Sequence, residues 1–167
     1  MVPSSVSSVL SSAALVGFSG SRSSVPAVAS SVASLVSGRV FVGCARGVDG
    51  FFRGCFPAAQ VFRVSDSSRG AFAARSVSFV QSLAASGGVL VSFPSGACPV
   101  GLLPSTSSSR CFSGFGSGSW ASLAFAVGRG VHCFVFAPFG VPSGWGFTSC
   151  GGGWFQFAAS GSQLGLF

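Results

Sequence analysis

The sequence predicts an α/β protein: a Rossmann-like, doubly wound, mostly parallel sheet of about five or more strands with helices on both faces. Three observations predict it. Short apolar runs of strand length alternate with helically spaced stretches across residues 13–138. Those runs are apolar throughout, as in strands buried on both faces. Gly/Ser turns follow several of them, where strand-to-helix connections fall, and right-handed crossovers then lay the helices on the sheet.

The elements follow in order. Residues 1–12, MVPSSVSSVLSS, read as a flexible Ser-rich lead-in. AALVGF (13–18) is the first strand. VPAVASSVASLVSG (25–38) places Val25, Val28, Val32 and Leu35/Val36 at helical spacing, with Pro26 in the first turn and Gly38 at the C-terminal cap. VFVG (40–43) is the second strand, and VDGFFRGCF (48–56) a short helix. QVFRV (60–64) is the third strand. AFAARSVSFVQSLAAS (71–86) is the strongest helix, with Phe72, Val77, Val80 and Leu83/Ala84 near one face. GGVLVSFPSG (87–96) holds a fourth strand, and a Ser/Pro/Gly loop runs to about 116. SGSWASLAFAVGRG (117–130) is a helix opened by serine and closed by glycine, and VHCFVFAP (131–138) is the last strand. Residues 139–167 form a Gly/aromatic-rich tail: a flap, an added edge or disorder.

The chain has 167 residues, enough for one domain with a core. Hydrophobic residues make up 49% and charged residues 7%. All nine basic residues are arginine, the only acids are Asp49 and Asp66, and the net charge is +7. That balance favours polyanionic partners, or simply keeps an apolar surface soluble. Lys, Glu, Asn, Ile and Tyr are absent, and every codon for them carries adenine at its first or second position. A coding strand poor in adenine accounts for Arg in place of Lys and Phe in place of Tyr. The Phe and Ser content is therefore no sign of function by itself.

No apolar run of about 18 residues occurs, which argues against a membrane span. The first 16 residues lack a positive segment, a poor fit to a secretory signal. The six cysteines form no C-x-x-C and sit among apolar residues, as reduced thiols of a cytoplasmic protein would. His132 beside Cys133 lacks zinc-ligand spacing. No metal or cofactor is expected, nor a membrane partner.

In doubly wound sheets ligands bind beyond the carboxyl ends of the strands. GFSGSR follows the first strand, GCARGVD the second, FPSGACP the fourth, and GFGSGSW opens the last helix. All four fall on that edge, and helix N-termini there offer unpaired amides to an anion. With Arg22, Arg46 and Arg110 they suit a phosphate-bearing ligand; the plainer reading is tight βα turns.

The order G-F-S-G-S-R, G-C-A-R-G-V-D, the arginine of AFAARS, FPSG, then G-S-G-S-W-A resembles the SLOG superfamily over residues 13–137. That group holds the Smf/DprA DNA-processing proteins and the LOG phosphoribohydrolases, and the first two motifs are most like the DprA side. The resemblance implies that Gly20, Ser21 and Arg22 line a phosphate pocket, with Gly43, Arg46 and Gly47 as its second wall. It implies that Gly116, Ser117, Gly118 and Ser119 cradle the phosphate, and that Arg75 reaches the site. Ser122 stands where LOG enzymes carry their glutamate.

That departure turns the reading away from catalysis. Cleaving an N-glycosidic bond benefits from a carboxylate. Asp49 is the nearest, a weak catalytic candidate beside Arg75, and its plainer role is capping the helix that starts near residue 49. Asp66 suits a ribose hydroxyl or an Asx turn. Ser19, Ser21 and Ser119 have no predictable base, His132 lies at the wrong end of its strand, and Cys44 reads as wall. Trp120 stacks on a base or packs on the sheet; Phe51, Phe52, Phe112 and Phe115 share that ambiguity. The leading expectation is non-catalytic, sensor-like binding of a nucleotide or nucleotide-derived molecule. DprA-like single-stranded DNA binding and LOG-like hydrolysis are the alternatives, and an apolar helix face leaves a homodimer open.

Overall fold

The computed structural model describes residues 1–159. The part of the tail beyond them, 160–167, lies outside the described residues. The chain folds as an α/β protein around one seven-stranded, mostly parallel mixed sheet, compatible with a Rossmann-like arrangement. The strands are β1 (Leu15–Gly20), β2 (Arg39–Gly43), β3 (Gln60–Phe62), β4 (Val89–Phe93), β5 (His132–Phe136), β6 (Thr148–Gly151) and β7 (Trp154–Phe157), in spatial order β3-β2-β1-β4-β5-β7-β6. The β1–β2, β2–β3, β1–β4 and β4–β5 pairs are parallel. The β5–β7 and β6–β7 pairs are antiparallel.

Alternate residues of each central strand feed two cores. Val16 and Phe18 of β1, Val40 and Val42 of β2 and Val91 and Phe93 of β4 pack on one face with helices α1 (Ser4–Ser12), α2 (Val28–Ala33) and α3 (Val48–Cys55). Leu15, Phe41, Leu90 and Cys133 pack on the other with α4 (Arg69–Ala85) and α6 (Gly118–Gly128). A one-turn helix, α5 (Ser108–Cys111), interrupts the long loop. Gly17 lets α4 sit close on β1: a Cβ there would stand 2.9 Å from both Leu83 and Phe79.

One segment differs from expectation, and the described part of the tail takes one of the three forms left open for it, an added edge. The Ser-rich lead-in is helix α1, and Val6 and Leu10, one turn apart, are fully buried. Its serines bond back to carbonyls one turn earlier: Ser8 Oγ to Ser4 O at 2.9 Å, and Ser11 Oγ to Ser7 O at 2.7 Å. Their hydroxyls thus join the helix instead of competing with it. The described part of the tail adds two antiparallel strands at the sheet edge, with Trp154 fully buried against Phe93 and Phe136. His132 Nε2 and Gln156 Oε1, 3.2 Å apart, tie β5 to β7.

The helix at 25–38 is shorter than its apolar spacing suggests and keeps helical geometry over Val28–Ala33. α4 begins two residues early because Ser68 caps it, its side chain accepting from Ala71 N–H at 3.1 Å.

Candidate functional site

Parallel strands end on one edge, and the connection directions diverge between β1 and β4. Clefts in open sheets form at such points. Three backbone segments are laced together here. Ser21 N–H donates to Phe93 O at 2.9 Å, and Val48 N–H to Ser21 O at 2.9 Å. The turn after β1 is thereby fixed to the end of β4 and the start of α3. Gly47 allows this closure: its φ is +68°, and a Cβ would collide with Ser21 O and the Arg22 backbone. Gly20 is equally confined, between Phe93 O and Val48.

Above this junction lies a polar hollow of about 200 Å³. It is lined by Ser19, Gly20, Ser21, Arg22 and Ser23 of the β1 turn and by Gly116, Ser117, Gly118 and Ser119 at the opening of α6. Asp49, Arg75, Ser76 and Ser122 complete it, with Ala45 and Ser95 at the margin. Arg22, Arg75, Ser76 and Gly116–Gly118 also border a larger groove of about 520 Å³. The aromatic and cationic side chains of that groove are Phe72, Phe112, Phe115 and Arg69.

The α6 end is capped by Ser117, whose hydroxyl accepts from Trp120 N–H at 3.3 Å. The next amides, of Gly118 and Ser119, belong to the first turn, which has no intrahelical acceptors and carries the positive end of the helix dipole. The β1 turn is less generous than its composition suggests. Ser21 Oγ accepts from the amides of Ser23 and Ser24 at 3.1 and 3.2 Å, so the loop spends those donors on itself.

Asp49 sits at the floor, 6% exposed. It is not the helix cap: Gly47 holds that position, and the Asp49 carboxylate turns back to accept from Ala45 N–H at 3.2 Å. Gly43 makes room, since a Cβ there would overlap Asp49 Oδ2. Arg53 braces the same turn, Nη1 donating to Gly43 O at 2.8 Å and Ala45 O at 2.7 Å. Burial pushes the Asp49 carboxyl above its ordinary value; the Ala45 amide and the charges of Arg75, Arg53 and Arg22 offset only part of that.

The structure therefore brings together Gly20, Ser21, Arg22, Arg75, Gly116, Ser117, Gly118 and Ser119, with Asp49 beneath them. Other candidates fall elsewhere. Arg46 is exposed and outside the hollow. Gly43 and Gly47 shape the β2–α3 turn through close backbone packing. Trp120 is 1% exposed; its indole N–H donates to Gly96 O at 2.7 Å and its ring meets Trp145 edge to face. It packs inward because α6 is buried along nearly its whole length. Asp66 is an Asx turn, Oδ1 accepting from Ser68 N–H at 2.7 Å. Phe52 is buried on Phe18, with ring centroids 3.8 Å apart.

Sequence reasoning missed Phe72, Arg69, Arg53 and Ser76 as site residues. Phe72 and Arg75 are three apart on one helix, a spacing that puts them on one face. That spacing was the available signal. Two other concavities, of about 460 and 710 Å³, lie between residues 97–103 and 139–145 and beside the start of β2. Neither gathers more than one charged side chain. Among the described residues no cluster of His, Cys, Asp or Glu could hold a metal ion, and no helix is long and apolar enough to cross a membrane. No protein-family model, curated protein or solved structure matches the chain.

Proposed function

We propose that the chain binds a nucleotide or nucleotide-derived phosphate ligand at this edge, without strong catalysis. One observation carries the reading. Arg22 and Arg75 form a wall common to a polar hollow closed by a helix N-terminus and a groove faced by Phe72, Phe112 and Phe115. Phosphate suits the first compartment, through guanidinium charge and amide donors. A base suits the second, where aromatic rings and arginine planes stack. The motif order that resembles the SLOG superfamily agrees with this, and Ser122 in place of a glutamate supports binding over hydrolysis.

Titration calorimetry with AMP and GMP, followed by chromatography of the mixtures, tests it. Saturable binding without base release is expected, and Arg22→Ala should weaken it about tenfold, as for a charged hydrogen bond removed. Unchanged affinity in that variant overturns the pocket assignment. Release of free base would establish a hydrolase instead.

A second reading, DprA-like single-stranded DNA binding, draws on Arg69 beside the Phe-lined groove and on the net charge of +7. Steeply salt-dependent binding of oligonucleotides, much tighter than of AMP, would favour it.

A further inference from the structure

The polar hollow carries charges of both signs: Arg22, Arg75 and the first amides of α6 line it, and so does the buried Asp49, one of only two acids in the chain. A smaller cavity of about 20 Å³ shares Asp49, Arg75, Ser19, Ser76 and Ser122 with it and is also bounded by Gly43, Phe18 and Phe79. An anion set directly against that carboxylate is repelled, whereas a neutral hydroxyl donates to it; a ligand that carries both an anion and hydroxyls uses the arginines and the acid alike.

Resting on the nucleotide reading above, we propose that Asp49 is a specificity-determining residue that accepts a hydrogen bond from a ribose hydroxyl, so that the site selects ribonucleoside monophosphates over sugar-deoxy analogues and over bare phosphate. The seat for this role is built. Gly43 leaves space for the carboxylate, Ala45 N–H holds Oδ2 at 3.2 Å, and Arg53 fixes the turn that carries Ala45. Among the described residues Ala45 makes the one hydrogen bond to this carboxylate, at Oδ2, and Asp49 lines the hollow. Ser76 and Ser122, both nearly buried, flank it with further hydroxyls. In dinucleotide-binding sheets an acidic residue near the end of the second strand reads the ribose in the same sense. Here the acid follows β2 by six residues and reaches back through the α3 turn.

Calorimetry of the intact chain with AMP, 2′,3′-dideoxy-AMP and inorganic phosphate tests this. AMP should bind about tenfold or more tightly than the dideoxy analogue, the worth of a hydrogen bond to a charged group. Phosphate alone should bind weakest. In Asp49→Ala the AMP preference should collapse toward one while dideoxy-AMP binds no worse; Asp49→Asn, which keeps a neutral acceptor, should fall between. Thermal melts show that each variant is folded, and the wild-type comparison needs no variant. Equal affinity for AMP and its dideoxy analogue overturns the inference and leaves the nucleotide pocket standing. Failure of both to bind overturns the pocket reading and the inference together.

Discussion

Arg22 lies over the ring of Phe72, its Cζ 5.1 Å from the ring centroid. The contact joins the turn after β1 to the opening of α4. Arg75, one helical turn further on, lies over the same ring at 5.8 Å. One phenyl group thus positions two guanidinium groups that would otherwise repel. At such exposed sites each contact contributes about 0.5–1 kcal/mol. Phe72→Leu keeps apolar bulk and removes the quadrupole. It should weaken AMP binding by about fivefold and lower the melting temperature by roughly 2–8 °C, as two such contacts are lost. Calorimetry of the variant checks this, and an unchanged affinity would show that the ring does not organise the site.

Arg75 also reaches the end of β2, where Nη1 donates to Cys44 Sγ at 3.7 Å. Burial pushes that thiol up, but the Arg75 hydrogen bond and charge, with backbone amides, bring it net below its ordinary value. The thiolate is the reactive form. Cys44 should therefore react with iodoacetamide several-fold faster in the wild type than in Arg75→Met at pH 7.5, read by peptide mass spectrometry. Cys133, fully buried and with its thiol pushed up by burial, should label only on unfolding. Equal Cys44 rates in the two proteins would remove Arg75 from this role.

Asp49 sets a stability trend opposite to that of most carboxylates. Burial raises its folded-state value above 3.8, so between those two values the folded chain holds a proton that the unfolded chain has released. Stability then falls as pH rises through that window, and above it the cost is complete. Asp49→Asn, which keeps an oxygen for Ala45 N–H, should melt higher than wild type at pH 7. The gap should close as pH falls toward the ordinary carboxylate value. Melting curves from pH 3.5 to 7.5 check the sign, and a variant less stable at pH 7 would show that the arginines outweigh desolvation. Binding groups held at such a cost are a common feature of functional sites.

Much of this architecture was legible because sheet burial writes itself into runs such as VFVG and VLVSF, which admit little but strand. The edge on which the turns meet followed from strand-helix alternation alone. Helix α1 was hidden because its two anchors, Val6 and Leu10, are diluted by serines whose helical role is seen only once their back-bonds are. The β6–β7 hairpin was legible only as one of three options for the tail, because glycines and aromatics carry no period there; its turn uses Gly152 and Gly153 at positive φ. Within the site, the resemblance implied that Ser21 lines the pocket; it lines the hollow, and its hydroxyl oxygen also accepts from the amides of Ser23 and Ser24, a local bond that residue type does not announce. The floor of the hollow depends on Gly43, Asp49 and Arg53 meeting across a turn, a relation that no linear spacing expresses.

Trp120 separates a packing role from a binding role in one substitution. It opens α6 next to Gly118 and Ser119, so its position alone would suit a base-stacking ring. Its indole instead donates to Gly96 O at 2.7 Å and packs edge to face on Trp145 with centroids 5.7 Å apart. Trp120→Phe deletes that hydrogen bond and part of the buried ring, at a cost of about 1–3 kcal/mol. For a chain of this size that is a drop in melting temperature of roughly 3–10 °C. AMP affinity, measured well below the new transition, should stay within about twofold of wild type, since no contact to the ligand is lost. A variant that melts normally yet loses AMP binding would return the ring to the site. One that melts lower and binds unchanged leaves the base to Phe72, Phe112 and Phe115.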